Sequence, residues 1–244
     1  MYPARSFRKI CWNELLGKTR TQYATSHIVM TEYRSERLDA MPLDLASNAD
    51  KYTANSVCYW LTGLPGAGKT TLARDFSQSL RSMQISALVL DGDELRAGLN
   101  CDLTYSREDR AENIRRAADI SKILIEADFT AIVALVSPYQ EDREMARQII
   151  GVDRFLEVFV DAPIETCMKR DPKGLYQRAL SGLLPDFTGV TAPYEKPVSP
   201  TLHIPTSVYT VAESLGILLS HFEHRRVRQS KFDTGSRPDP IRAS

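Results

Sequence analysis

No stretch of this 244-residue chain approaches the run of ~20 apolar residues that a membrane-spanning helix needs, and no secretory leader with an apolar core opens it. An excess of charge of one sign is also missing. Thirty-one Lys and Arg balance thirty-one Asp and Glu, which removes any global pull toward nucleic acid or an acidic membrane but permits a locally basic site. Cysteine is sparse. Cys11, Cys58, Cys101 and Cys167 form no CxxC pair and no metal-ligand spacing, so they read as reduced thiols of a reducing compartment. A regulatory disulfide between Cys58 and Cys101, which flank the nucleotide region, stays open. No NKxD segment is present to read a guanine base, which argues against a GTPase switch.

What is present is the composition of an ordinary globular protein, 43% hydrophobic and 25% charged, sized for one large domain with appendages. Residues 1–55 show no sustained period and read as a poorly ordered N-terminal extension. Its first 29 residues carry five basic side chains and Glu14 as the one acid. That pattern fits either an organellar targeting segment or a basic arm ahead of a start at Met30, on an otherwise cytoplasmic protein. From 57 onward, short apolar runs (57–63, 85–93, 129–138, 155–163) alternate with helical periodicities (69–83, 106–128, 140–150, 164–171, 210–224). Strands that are apolar throughout and alternate with helices predict an α/β fold, a parallel sheet with helices on both faces. Residues 172–205, rich in Pro, Gly and Tyr and without clear strands, read as a mobile lid, and the polar tail from Arg225 as disordered.

Gly63-Leu64-Pro65-Gly66-Ala67-Gly68-Lys69-Thr70, followed by Thr71, matches G-x-x-x-x-G-K-[ST] at every fixed position, between an expected strand and an expected helix. Such a loop turns successive N–H groups and a helix N-terminus toward one anion. Lys69 then reaches the β- and γ-phosphates, and the Thr70 hydroxyl ligates Mg²⁺. This predicts a P-loop NTP-binding fold that uses ATP and Mg²⁺; it leaves the acceptor open.

The acceptor side begins at the end of the second predicted strand, in DGDELRAGLN (residues 91–100). Asp91 and Asp93 lie two apart, so on an extended chain both face one way. One can orient Mg²⁺ through water while the other accepts a hydroxyl proton. Arg96 follows closely. On the next helix Arg110 and Asn113 are three apart and share a face, with Arg116 continuing the line, a set suited to an anionic, hydrogen-bonding acceptor.

DGDELRAGLNCDLTYSREDRAENIRR, VSPYQEDR, EVFVDAP, RDPKGLY and FTGVTAPYE stand in an order and spacing that resembles the adenylyl-sulfate kinases, over residues 57–206. The resemblance implies a domain at 56–224 with its lid at about 172–205, and transfer of the γ-phosphoryl of ATP to the 3′-hydroxyl of adenylyl sulfate. It also implies a homodimer and a functional link to an ATP sulfurylase. Residue by residue, it gives Asp93 the role of base, and Arg96, Arg110 and Asn113 the grip on the phosphosulfate. Tyr105 and Phe187 resemble an adenine clamp, Val136 and Ser137 substrate contacts, and Arg170 and Lys173 residues that close over ATP and the transferring phosphoryl. The resemblance also puts Ser137 forward as a phosphorylated intermediate, a relay that in-line transfer does not need and beside which no base is evident.

The chain departs from the family at Glu94, where Asn is usual, and at Ala97, where His is usual. It also has Pro65 and Ala67 in place of loop serines, and lacks a lysine before FTG. Glu94 and the altered lid keep a second reading in play, a P-loop kinase of another small hydroxyl compound. A third is a weakly catalytic nucleotide-binding regulator that works through its N-terminal arm.

Overall fold

The computed structural model describes residues 56–234. The predicted N-terminal extension with its targeting alternative, Cys11, and the end of the tail lie outside the described residues. Five parallel strands, β1 (Cys58–Thr62), β2 (Ala87–Asp91), β3 (Thr130–Ala134), β4 (Phe155–Asp161) and β5 (Leu202–Pro205), lie in the order β2-β3-β1-β4-β5. The central strand explains its own composition. Tyr59 and Leu61 enter one apolar layer, Cys58 and Trp60 the other, so no position of β1 can be polar toward solvent.

Helices α1 (Lys69–Ser82) and α7 (Val211–Thr234) cover the first face with Leu72, Phe76, Leu80, Leu218 and Phe222. Helices α3 (Arg107–Glu126) and α4 (Gln140–Ile150) cover the second with Ile114, Ala118, Ile125, Ala146 and Ile150. Ser106 caps α3, accepting from the Asp109 N–H at 3.2 Å, while the Asp109 carboxylate turns to the Thr104 N–H at 2.7 Å. No helix among the described residues is long and apolar enough to cross a membrane.

Four elements depart from the sequence expectation. Gly92–Ala97 is a short helix, α2, capped by the Asp91 side chain. Asp91 and Asp93 therefore do not share one face of an extended chain: Asp91 is buried and Asp93 exposed. The stretch expected to lack clear strands contains α6 (Leu175–Leu180), which follows α5 (Ile164–Arg170), and it ends in β5. In β5 only Ile204 is buried, so as an edge strand it lacks the continuous apolar signature of its neighbours and tolerates Pro205. Finally, α7 runs past Arg225 to Thr234, because no Gly or Pro interrupts the chain before Gly235.

Phe76 is wholly buried, edge-on to Tyr59 (centroids 4.9 Å apart) and to Phe222 (6.3 Å). Phe76→Ala should lower the unfolding free energy by about 3–5 kcal/mol in a urea titration. A loss below about 1 kcal/mol would show that this layer does not pack as described.

Candidate active site

The loop between β1 and α1 is shaped by crowding on one side and openness on the other. A Cβ on Gly63 would stand 2.2 Å from the Val160 carbonyl oxygen, so only glycine lets the loop leave β1 against β4. Gly68, at φ 101°, ends the loop as the N-cap of α1, with no side chain capping the helix and no acid in its first turn. The N–H groups there are left for an anion. Lys69 folds back and donates to the carbonyls of Gly63 (2.8 Å) and Leu64 (2.9 Å). Burial pushes its ammonium down to about 8.

Thr70 Oγ1 donates to Asp91 Oδ2 at 2.6 Å, and the other Asp91 oxygen accepts the Asp93 N–H at 2.9 Å. A hydroxyl and a buried carboxylate side by side at the phosphate loop are hard oxygen donors of the kind Mg²⁺ takes. Among the described residues no group of three metal-ligating side chains exists, so such an ion would complete its shell with phosphate oxygens and water.

A cavity of about 1120 Å³ opens from this loop along the C-terminal edge of the sheet, where α/β folds bind ligands. The predicted site residues line it except Gly63, Leu64 and Arg116. Gly63 is pressed against Val160, and Leu64 packs into the core, so these two serve through the carbonyls that hold Lys69. Asp93 reaches across from α2 to an ion pair with Lys173, just before α6. Arg170 donates to the Thr206 carbonyl at 2.6 Å and to its hydroxyl at 3.1 Å, with the Ala67 carbonyl near at 3.5 Å.

On the far wall Arg96 lies 4.4 Å over the Tyr105 ring and Arg110 5.5 Å from it. Burial lowers both guanidinium pKa values, and Arg96 lowers that of Arg110 further. Arg110 also donates to the carbonyl of Asp186 at 2.7 Å. Asn113 is buried and accepts from the Asn100 amide at 3.0 Å. Tyr105 thus carries two guanidinium groups, while Phe187 packs edge-on against Tyr176 (5.0 Å). Arg116 is not part of this wall. It is drawn away by Asp102 (2.8 Å) and Glu112 (2.8 Å).

Val136 and Ser137 line the cavity beyond β3. Ser137 has φ 39°, its Oγ accepts from the Trp60 indole N–H at 3.1 Å, and it lies 3.4 Å from the Leu135 carbonyl. Neither partner is a base. Glu94, the departure that adds negative charge, is matched by Arg74 at 2.9 Å. Cys58 and Cys167 are buried and Cys101 is exposed, all three as free thiols.

Sequence reasoning missed Thr206, Tyr209 and Ser214, which wall the cavity beside Arg170. Ser214 Oγ is buried without a hydrogen-bond partner. These residues follow β5, and because that strand carries no strand signature, nothing in the sequence marks its C-terminal end as part of the crevice.

A phosphate loop opening into a guanidinium-walled cavity defines the class: a P-loop kinase of a small anionic acceptor. Residues 55–205 match the family described as adenylylsulphate kinase, and the chain belongs to that family. An adenylyl-sulfate kinase of Pseudomonas aeruginosa is 50% identical over 147 residues, covering 60% of this chain and 75% of the relative. A probable adenylyl-sulfate kinase of Halalkalibacterium halodurans is 48% identical over 160 residues, 66% and 79% of the two chains. The structure of the Mycobacterium tuberculosis APS kinase CysC in complex with AMPPNP and APS superposes with a TM-score of 0.67 at 39% identity, over 69% of this chain and 98% of that one.

A triphosphate set against Lys69 should raise its pKa again, so nucleotide binding takes up a proton above pH 8. Calorimetry at pH 8.5 in buffers of different ionisation enthalpy should give a net proton uptake, absent in Lys69→Met. Equal heats in all buffers would contradict it.

Proposed function

We propose that the protein transfers the γ-phosphoryl of ATP to the 3′-hydroxyl of adenylyl sulfate, giving 3′-phosphoadenylyl sulfate and ADP in sulfate activation. The observation that carries this reading is a single cavity in which the phosphate loop and the arginine wall share the space beside Asp93. The loop N–H groups, Lys69, Thr71 and Arg170 hold the triphosphate. Thr70, and Asp91 through water, would hold Mg²⁺, whose positive charge would offset the negative charge developing on the phosphates during transfer.

Arg96, Arg110 and Asn113 grip the phosphosulfate, and the Tyr105 and Phe187 rings, with Val136 and Ser137, seat the nucleoside. Base stacking on such rings contributes about 1–3 kcal/mol. Asp93 takes the 3′-hydroxyl proton as the new O–P bond forms and the bond to ADP breaks. Lys173 leaves its ion pair with Asp93 to meet the transferring phosphoryl. Ser137 stays a substrate neighbour, since the indole N–H and the backbone carbonyl beside it cannot activate it as a nucleophile. Arg74 partly offsets the charge that Glu94 brings to the acceptor side. The family resemblance also supports a homodimer supplied by an ATP sulfurylase.

Purified protein with ATP and Mg²⁺ should release ADP on addition of adenylyl sulfate and not on addition of plain nucleosides; the reverse selectivity would refute the assignment. In the same assay Asp93→Ala should lose about 10²–10⁴-fold in kcat with ATP affinity nearly unchanged. Turnover within tenfold of wild type would remove Asp93 as the base. Arg110→Ala should raise KM for adenylyl sulfate about 10–100-fold and spare that for ATP, the effect of removing one charge-assisted hydrogen bond. A defect confined to ATP would place Arg110 on the donor side.

A further inference from the structure

Arg143 does not line the cavity, yet it is the most connected side chain beside it. It is 1% exposed, on α4, and its guanidinium divides among four partners. Nε donates to Glu157 Oε1 on β4 at 2.7 Å, and Nη1 to the Ser137 carbonyl at 2.8 Å. Nη2 donates to the Gln140 side-chain oxygen at 2.7 Å and to the Glu195 carbonyl at 2.9 Å. Two of these partners matter for the site. Ser137 is a cavity-wall residue held at φ 39°, a conformation that a non-glycine residue keeps only under constraint. Glu195 lies on the segment by which the chain leaves the lid.

That segment has further ties to the same loop. The Glu195 N–H donates to the Pro138 carbonyl at 2.8 Å, and its carboxylate accepts the Gln140 N–H at 2.7 Å. The Tyr194 hydroxyl meets Thr62 Oγ1 at 3.0 Å, while Thr62 donates to the Val136 carbonyl at 2.8 Å.

We propose that Arg143 is a positioning residue for the acceptor: it holds the Val136–Pro138 wall in place and anchors the lid exit to it. The lid then moves at its entry, where Asp93 and Lys173 meet, and not at its exit. A planar five-donor fork is needed because the bonds diverge toward one carboxylate and three other oxygens, and a lysine ammonium at the end of a flexible stem cannot span them. The inference rests on the proposed acceptor site.

Trp60 supplies a local probe, because its indole donates to Ser137 Oγ and the chain has two tryptophans, Trp12 and Trp60. In a Trp12→Phe background, two variants separate positioning from stability: Arg143→Lys, and the double variant Arg143→Met with Glu157→Met. The double variant removes both buried charges and refills the space, and Arg147, which also reaches Glu157 at 3.6 Å, keeps its Glu144 partner at 3.3 Å. Both should shift the Trp60 emission of the ligand-free protein. Both should raise KM for adenylyl sulfate by about tenfold or more and leave KM for ATP within about twofold.

Wild-type emission and wild-type KM in the double variant would overturn the proposal, leaving Arg143 as half of a structural ion pair. Equal losses on both substrates would overturn it as well. If wild-type protein fails to phosphorylate adenylyl sulfate, the proposed function falls, and the emission of the two variants alone still decides whether Arg143 holds the wall.

Discussion

The hydrogen bond from Thr70 to Asp91 is the interaction on which the site depends. It joins the first turn of α1 to the end of β2 across a gap in sequence, 2.6 Å long and largely out of water. Asp91 uses its second oxygen to cap α2 through the Asp93 N–H. One carboxylate thus sets the distance between the helix that faces the donor and the helix that carries the candidate base. Without its orientation, loop and base no longer share a frame.

Charge is arranged to make this frame incomplete without ligand. Lys69 is buried with only carbonyl partners, and Arg96 and Arg110 stack on one tyrosine and disfavour each other's charge. Cations held this way are poorly solvated and lack carboxylate partners, so an incoming polyanion gains more from them than from solvated surface arginines. Farther from the cavity Arg116 has Asp102 and Glu112, and Arg143 has Glu157.

The central strands and the phosphate loop were legible in the sequence because each announces itself locally. An all-apolar β1 must be buried on both faces, and the spacing of Gly63, Gly68 and Lys69 is dictated by one anion. Motif order also marked Lys69, Asp93, Arg96, Arg110 and Phe187, all of which line the cavity. Hidden were features whose cause is tertiary. Helix α2 exists because Asp91 caps it while bonding Thr70, and β5 pairs only along β4, with one buried side chain. Thr206, Tyr209 and Ser214 follow β5 and stayed hidden with it. Arg116 sits where helix spacing pointed toward the acceptor, but two acids nearby hold its guanidinium away from the cavity. The Arg143 hub was invisible for the opposite reason: an arginine on an amphipathic helix reads as surface, and only its partners on β4 and at the lid exit bury it.

The central claim is that donor and acceptor occupy one cavity and react directly. Its sharpest test is the stereochemical course at phosphorus, followed with ATP made chiral at the γ-position by oxygen isotopes and sulfur. Direct in-line transfer from ATP to adenylyl sulfate predicts inversion of configuration. Retention would mean two displacements through a phosphorylated side chain, and would contradict the account of Ser137 and of the cavity together.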